Sequence, residues 1–353
     1  MQTALYCPDY GYYEKEEDRV GRKGDFYTSV SVGCFFGEML AFQFDIWLEQ
    51  YVNQTGQGHL KIVEAGAHGG ALARDILGWM REHRTELFKK LEYWIIEPSP
   101  RREAWQRRNL SELSGKVHWV PDLGAAASGL NTEAAHPGAI CGVIFSNELL
   151  DAFPIHRFGW DAKARRWFEW GVAFQEGQFV WSRLPEFGTN SATAIIQGLP
   201  AELLEVLSDG FVAETCPAAS EWWQEAAGFL ASGRLMTIDY GFKREELLLP
   251  DRSRGTLRAY HRHHFSDNPL LEPGEQDLTA HVNFSELIGV GEACGLRTEA
   301  FNTQGQFLSE IATCVWKNER PFGKWTAAHT RQFQTLTHPE HLGRAFRVLI
   351  QAR

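Results

Sequence analysis

Five apolar runs of this chain each end in an acidic or amide side chain, and this repeated arrangement constrains the fold more than any other feature. The side chains at the ends belong to Glu64, Glu97, Asp122, Asn147 with Glu148, and Asp239. Helix-forming segments lie between the runs, and strands that alternate with helices predict a parallel sheet with right-handed crossovers. Ligands bind beyond the carboxyl ends of the strands in such sheets, so the sequence predicts a binding site at this edge.

Periodicity and breaking residues set the expected element boundaries. The five strands are predicted at 60–65, 93–96, 116–120, 139–146 and 234–238. A buried helix is predicted at 34–52, and the helix after the first strand carries apolar residues at helical spacing from Leu72 to Leu91. Residues 156–182 alternate polar and aromatic side chains around two turns, which predicts two hairpins, and 243–285 are expected to be irregular. Helices at 219–232 and 284–294 and strands at 297–301 and 346–351 complete the pattern.

These patterns predict four segments along the 353 residues, a length that suits one elaborated α/β domain or two domains. They are a loop and helix segment at 1–58 that covers the cleft, an α/β core at 59–154, an insertion at 155–215, and the remainder of the core at 216–353 with a substrate-cleft insertion at about 243–285.

The composition argues against several classes of function. Lys and Arg number 35 against 45 Asp and Glu, and a net charge of −10 disfavours a sequence-independent hold on nucleic-acid phosphates. No apolar run reaches the roughly 20 residues that a membrane span needs. Six scattered cysteines without a CxxC pair lead us to expect no metal. The aromatic, acidic N-terminus resembles neither a signal peptide nor a transit peptide, which favours a bacterial cytoplasmic protein over a mitochondrial matrix protein that has lost its transit peptide.

The turn after the first strand contains Gly66, Gly69 and Gly70 and leads into a helix. Such a turn offers backbone N–H groups and a helix N-terminus to a ligand, although a tight strand–helix turn also needs glycine. Glu97 could accept both hydroxyls of a ribose, or it could pair with the dipole of the helix that Ser99 caps. Nicotinamide and methyl-donor enzymes share these features. Glu64 would repel a pyrophosphate but suits the sulfonium and ammonium of S-adenosylmethionine (SAM), which favours the methyl donor.

The stretch from Asn147 to Asp151 lies where a methyltransferase places its acceptor. If the acceptor were a guanidinium, carboxylates would hold it by charge-assisted hydrogen bonds, and one could take its proton as the new C–N bond forms. Glu148 and Asp151 are three residues apart and would share a face of a helical turn. An acid-rich first turn of a helix would explain the same residues.

Several motifs occur in a fixed order along nearly the whole chain. They include ALYCPDYGYY (4–13), GRKGDFYTS (21–29), EAGAHGGALARDIL (64–77), IIEPSP (95–100), SNELLDAFP (146–154), TIDYG (237–241) and PGEQDLTAHVNF (273–284). Together they resemble the MidA-like family of SAM-dependent methyltransferases, which includes an enzyme that methylates an arginine of a respiratory complex I subunit.

The resemblance implies a class I (Rossmann-like) methyltransferase fold, with a seven-stranded, mostly parallel sheet, helices on both faces and inserted segments. It implies SAM as cofactor and a complex I subunit as partner. The implied cofactor residues are Glu64, Gly66, Ala67, His68, Gly70, Glu97 for the ribose, Asp122 near the adenine, and Asn147. The implied methyl-transfer residues are Asn147 and Glu148, to which the spacing argument adds Asp151 as a catalytic candidate. The implied substrate cleft is bordered by Gly24, Asp25, Asp239, Tyr240, Asp277 and His281.

Two departures from the family pattern affect these expectations. His68 stands at the middle glycine of a loop that resembles GPGRG in the family, and Val30-Ser31 replace the usual Pro-Glu after Ser29. Bulk at His68 could crowd the methionine moiety, or Gly69 could restore the bend. The first interpretation leaves a catalytically silent, cofactor-binding assembly chaperone as an alternative. A small-molecule methyltransferase is the other alternative.

Overall fold

A computed structural model describes residues 1–15, 28–56, 60–128, 140–185, 196, 199–261, 264–266, 268–317 and 322–353. Its contacts divide the chain into two compact units. The core unit comprises Glu16–Leu149, Trp223–Tyr240 and Ile288–Arg353, and the accessory unit comprises Met1–Lys15, Leu150–Trp222 and Gly241–Leu287. Both units are assembled from separate stretches of the chain.

The strands, in chain order, are β1 (Leu60–Ala65), β2 (Leu91–Ile96), β3 (Val117–Val120), β4 (Ile140–Asn147), β5 (His156–Asp161), β6 (Arg166–Gln175), β7 (Gln178–Arg183), β8 (Val212–Thr215), β9 (Leu230–Phe242), β10 (Arg258–His261), β11 (His264–Ser266), β12 (Asp277–Thr279), β13 (Val282–Asn283), β14 (Arg297–Thr303) and β15 (Phe346–Ala352). The α-helices are Gln2–Tyr6, Ser29–Val32, Phe35–Thr55, Ala71–His83, Thr85–Lys90, Pro100–Asn109, Leu123–Ser128, Ala201–Val206, Pro217–Phe229, Arg244–Leu247, Phe284–Ala293, Gln304–Trp316 and Ala327–Thr337.

The sheet of the core unit has the strand order β14-β15-β9-β4-β1-β2-β3. The pairs among β3, β2, β1, β4 and β9 are parallel, whereas β15 is antiparallel to both β9 and β14. The predicted seven-stranded, mostly parallel sheet is therefore confirmed. The carboxyl ends of β1, β2, β3, β4 and β9 share one edge, as the sequence pattern predicts.

Apolar side chains explain why these strands form where they do. β1 and β2 are buried at five of six positions each, which is typical of parallel strands that helices cover. One hydrophobic cluster joins the helices Phe35–Thr55, Ala71–His83 and Gln304–Trp316 to the central strands. The predicted buried helix at 34–52 is confirmed, and it ends at Gly56 in the left-handed conformation. Within the described residues, no helix is both long and apolar enough to cross a bilayer.

The prediction of one continuous helix from Leu72 to Leu91 is wrong. The helix ends at His83, Arg84 leaves the helical conformation, a second helix covers Thr85–Lys90, and Leu91 already belongs to β2. The Arg84 guanidinium forms ion pairs with Asp45 at 2.9 Å and Glu49 at 3.1 Å. Because Asp45 is almost completely buried, this tertiary pairing stabilises a break that helical spacing does not reveal.

The accessory unit contains an antiparallel sheet of order β7-β6-β5-β8. Its hairpins turn between Asp161 and Arg166 and between Gln175 and Gln178, which confirms the two predicted hairpins. The region 243–285 is less irregular than predicted, because β10 pairs with β11 and β12, and β13 pairs with Gly241 and Phe242 of β9. β12 and β13 pair with strands that are distant in sequence, and they are too short for local patterns to reveal them.

Candidate active site

The turn after β1 combines three left-handed residues, with φ of 76° at Gly66, 48° at His68 and 79° at Gly70. The Gly70 amide donates to the Ala67 carbonyl at 2.7 Å, and the helix Ala71–His83 begins immediately afterwards. A Cβ added at Gly66 would lie 2.9 Å from the Leu149 side chain, and one at Gly69 would lie 2.8 Å from the Trp105 ring. The glycines therefore serve close packing as well as the open cradle of a helix N-terminus.

His68 adopts the left-handed conformation that the turn requires, at a cost of about 1–2 kcal/mol for a residue with a Cβ. Its ring lies against Trp105 in an edge-on contact, with 4.9 Å between the ring centroids. Burial lowers the pKa of His68 to about 3, with a further contribution from Arg102, so the ring is neutral. His68 thus takes the backbone role of the glycine and packs its ring onto the helix Pro100–Asn109.

Glu97, directly after β2, is buried and anchors a hydrogen-bond network. One carboxylate oxygen accepts from the Ser99 amide at 3.0 Å, and the other accepts from Gln106 Nε2 at 2.8 Å. Gln106 Nε2 also donates to the His68 carbonyl at 2.8 Å, and Gln106 Oε1 accepts from Trp119 Nε1 at 3.0 Å. Gln106 therefore connects the glycine turn, the end of β2 and strand β3.

Sequence reasoning missed Gln106. The available signal was a glutamine on the inward face of the helix Pro100–Asn109, where the side chain is fully buried. Such a residue needs hydrogen-bond partners, and those partners come from segments that are distant in sequence.

Glu64, in β1, is 2% exposed and accepts a hydrogen bond from the Tyr93 hydroxyl at 2.7 Å. Burial raises the pKa of Glu64 to about 7, although the bond from Tyr93 acts in the opposite direction. Burial and the charge of Glu64 also raise the pKa of Tyr93 well above its usual value. A positive charge close to Glu64 would lower this pKa again and favour the ionised carboxylate. A sulfonium or ammonium group is such a charge.

The end of β4 makes a second polar cluster. Asn147 Oδ1 is buried and has no hydrogen-bond partner among the described residues, while Asn147 Nδ2 donates to Glu148 at 3.1 Å. Glu148 is left-handed, with φ of 53°, and its amide donates to the Ile238 carbonyl. The Leu149 amide donates to Asp239 at 3.2 Å, and Asp239 also accepts from the Tyr240 amide at 2.8 Å. Asp239 therefore fixes the turn that presents Asn147 and Glu148.

Glu148 and Asp151 do not share a face of one helical turn. The left-handed conformation of Glu148 interrupts any helix there, and a single 3-10 turn begins only at Leu150. Asn147 and Glu148 belong to the core unit, and Asp151 belongs to the accessory unit.

Asp122 lies after β3 and accepts a hydrogen bond from the Ala125 amide at 2.7 Å, so it stabilises the first turn of the helix Leu123–Ser128. The Tyr240 ring packs on Phe346, with 4.1 Å between centroids. Gly24 and Asp25 lie outside the described residues.

Within the accessory unit, tyrosines of the N-terminal motif lie near two of the predicted carboxylates. Asp151 and Asp277 are each 4% exposed. The Tyr13 hydroxyl donates to Asp277 at 2.8 Å, and the Tyr6 hydroxyl donates to the Ala152 carbonyl at 3.0 Å. Burial first, and then the charges of Asp277, Tyr6 and Asp151, raise the pKa of Tyr13 well above its usual value. These electrostatic effects place Asp151 and Asp277 in one buried acidic and aromatic cluster.

A known protein family now accounts for this combination of sheet, glycine turn and acidic strand ends. Its sequence profile, described as "Putative S-adenosyl-L-methionine-dependent methyltransferase", matches residues 43–302. The chain belongs to this family. The family is one of SAM-dependent methyltransferases, and SAM is the cofactor of this chain.

Curated relatives are distant in sequence. The protein arginine methyltransferase NDUFAF7 homolog, mitochondrial, of Drosophila melanogaster is 27% identical over 317 residues, which cover 84% of this chain and 66% of the relative. The protein arginine methyltransferase NDUFAF7, mitochondrial, of Mus musculus is 27% identical over 315 residues, which cover 81% of this chain and 64% of the relative. The chain thus spans just under two thirds of the length of these relatives.

Solved structures confirm the class I methyltransferase fold. A COG1565 superfamily member from Burkholderia thailandensis, bound to S-adenosyl-homocysteine, matches with a TM-score of 0.81 and 28% identity over 100% of this chain and 86% of that chain. A native structure of a COG1565 superfamily protein from the same species gives a TM-score of 0.78 and 29% identity over the same shares.

The residues of the core unit fit the cofactor. The unpartnered Asn147 Oδ1 offers a buried acceptor, and the glycine turn offers a helix N-terminus. Burial disfavours the ionised form of the Glu64 carboxylate, and a nearby sulfonium or ammonium would favour it. Glu97 is held by the Ser99 amide and Gln106 with its carboxylate at the end of β2, where a ribose would find an acceptor.

Proposed function

We propose that this protein is an active methyltransferase and that it acts on an arginine side chain of a partner protein. Two distant relatives bear the name protein arginine methyltransferase, and the resemblance to the MidA-like family points to a respiratory complex I subunit as the partner. The observation that carries the proposal is the carboxylate of Glu148, which follows β4 in the core unit beside the buried Asn147 Oδ1, which is unpartnered within the described residues.

The proposed roles follow from the chemistry of a guanidinium. It stays protonated in water, since its pKa lies far above neutral pH. A carboxylate that accepts from two of its N–H groups holds it by charge-assisted hydrogen bonds and fixes its plane. In our proposal Glu148 binds the reacting nitrogen and takes its proton as the C–N bond forms. Bound SAM would supply an electrophilic methyl group, whose C–S bond would break with S-adenosyl-homocysteine as the leaving group. Alignment supplies much of the rate, so Asn147 and the turn that Asp239 fixes act as positioning groups.

For the cofactor we propose that Gly66, Ala67, His68 and Gly70 form the loop around the methionine moiety, that Glu97 binds the ribose and that Asp122 lies near the adenine. Glu64 would balance the positive charge. The alternative of a silent assembly chaperone rested on the bulk of His68. The His68 ring packs on Trp105. Crowding of the methionine moiety by this ring is therefore a weaker reason to propose a silent chaperone.

A transfer assay tests the proposal against its alternatives. The protein is incubated with SAM carrying a labelled methyl group and a lysate of cells that lack the protein. We expect label in the protein fraction, and a loss of at least about tenfold for Glu148→Gln, which keeps the shape but removes the base. Glu112→Gln, at an exposed position of the core unit, is the matched control. Label only in the low-mass fraction would select a small-molecule methyltransferase, and cofactor binding without any transfer would select the silent chaperone.

A further inference from the structure

Gln106 is a completely buried amide on the helix Pro100–Asn109. Burying an amide is unfavourable unless its polar groups form hydrogen bonds. Nε2 donates to the Glu97 carboxylate and to the His68 carbonyl, both at 2.8 Å, and Oε1 accepts from Trp119 Nε1 at 3.0 Å. Three partners from three separate segments of the core unit therefore hold this one side chain.

The Trp119 indole determines which way the Gln106 amide points. An indole N–H can only donate, so the atom that faces it must be the amide oxygen. The two N–H groups of Nε2 then remain for the carboxylate of Glu97 and the carbonyl of His68, and these groups accept hydrogen bonds. A flipped amide would place its NH₂ group against the indole donor and its oxygen against two acceptors. Trp119 thus selects the orientation in which Gln106 donates to Glu97.

Glu97 is only 7% exposed, and its carboxylate is held at both oxygens. One oxygen accepts from the Ser99 amide at 3.0 Å, and the other accepts from Gln106. Bonds at both oxygens fix the plane of the carboxylate. A ribose presents two neighbouring hydroxyls, and a carboxylate already fixed in the plane that accepts both loses little conformational freedom when the ligand binds.

Asn109 provides a natural comparison on the same helix. Its Nδ2 donates to the Gly69 carbonyl at 2.9 Å, so Asn109 bonds the glycine turn alone. Gln106 bonds both the turn, at His68, and the carboxylate of Glu97. A change at Asn109 should therefore affect the turn, whereas a change at Gln106 should affect the turn and the orientation of Glu97.

We propose that Gln106 is a positioning residue for the cofactor: it fixes the Glu97 carboxylate in the plane that accepts both ribose hydroxyls, and so sets the preference of the site for ribose over a sugar without them. Trp119 acts one step further out, because it orients Gln106. This inference rests on the proposed ribose role of Glu97. A merely structural role of Gln106 would weaken every ligand of the site by the same factor, whereas the positioning role concerns the two hydroxyls.

The test compares two ligands by calorimetry on the full chain. One ligand is S-adenosyl-homocysteine, and the other is its analogue without the two ribose hydroxyls. The ratio of their dissociation constants is the ribose preference. We expect wild type to prefer the ribose ligand at least about tenfold, since each hydroxyl bonds to a charged group. Glu97→Ala should bring the ratio close to one.

Two variants remove the support of Glu97 at different distances. Gln106→Met keeps a long, flexible side chain but removes the three hydrogen bonds, and should lower the ribose preference at least about threefold, because Glu97 must then be ordered on binding. Trp119→Phe keeps an aromatic ring without the N–H donor and should lower the preference about twofold or more. It carries the test if Gln106→Met does not fold. Denaturant unfolding of each variant shows whether it does.

A control and a double variant separate positioning from packing. Asn109→Ala removes a bond to the glycine turn and should keep the ribose preference of wild type. Gln106→Met added to Glu97→Ala should change the preference no further, because both residues act through the same carboxylate.

The outcomes distinguish this inference from the assignment on which it rests. A ribose preference that survives Glu97→Ala would overturn both the ribose role of Glu97 and the positioning role of Gln106. If Glu97→Ala abolishes the preference while Gln106→Met, or Trp119→Phe in its place, weakens both ligands equally, the ribose role of Glu97 stands and Gln106 is structural only. These readouts need no methyl transfer, so they are independent of the proposed acceptor.

Discussion

Replacing Glu64 by glutamine should stabilise the folded protein at high pH. Burial raises the pKa of Glu64 from an ordinary value of 4.5 to about 7. Between these two values the folded chain holds a proton that the unfolded chain has released. The free energy of unfolding therefore falls as the pH rises through this window. A difference of about 2.5 pKa units corresponds to about 3 kcal/mol at pH 8.

The assay is denaturant unfolding of wild type and Glu64→Gln without cofactor. Glutamine is isosteric and can still accept the Tyr93 hydrogen bond, so packing changes little. We expect Glu64→Gln to be more stable by up to about 3 kcal/mol at pH 8 and by less than about 1 kcal/mol at pH 5.

Tyr93→Phe is the matched control. It removes the bond that favours the ionised form of Glu64, so it should destabilise the protein more at pH 8 than at pH 5. A stability difference between wild type and Glu64→Gln that is equal at both pH values would refute the reasoning.

Three further predictions concern the cofactor site. SAM should bind more tightly in calorimetry as the pH rises from 6 to 8, because ionised Glu64 would attract its positive charge. S-adenosyl-homocysteine keeps the ammonium but lacks the sulfonium charge, so its binding should depend less on pH. A flat SAM profile would argue against this role for Glu64. Glu97→Ala should weaken binding of both compounds at least about tenfold, and unchanged binding would remove the ribose assignment. Gly69→Ala should lower the free energy of unfolding by about 1–3 kcal/mol in denaturant unfolding, since the new Cβ would lie 2.8 Å from the Trp105 ring. A variant as stable as wild type would show that the Trp105 ring can move away without cost.

Much of the core fold is predictable from the sequence, because a parallel strand that is covered on both faces is a short, nearly continuous apolar run. β1 was predicted at the residues where it occurs, Leu60–Ala65. The break in the helix at Arg84 was not predicted, because its cause is an ion pair with Asp45 from another helix. The pairing of β10 with β12 likewise joins residues about 20 positions apart in short segments without clear periodicity.

The candidate site shows the same difference between residues that a local pattern predicts and residues whose role depends on tertiary contacts. The sequence points to Glu64 and Glu97 because an acid at a strand end is a local signal. The position of the His68 ring depends on Trp105, and the importance of Gln106 depends on Glu97, His68 and Trp119 together.

The most direct test of the proposed function identifies the residue that receives the methyl group. Proteins from a lysate of cells that lack this enzyme are incubated with it and with SAM bearing a trideuterated methyl group, and are then digested for tandem mass spectrometry. We predict trideuteromethyl groups on arginine with wild-type enzyme and at least about tenfold fewer with Glu148→Gln. Labelled peptides that carry the group on other residues, or an absence of labelled peptides while SAM binds, would contradict the account.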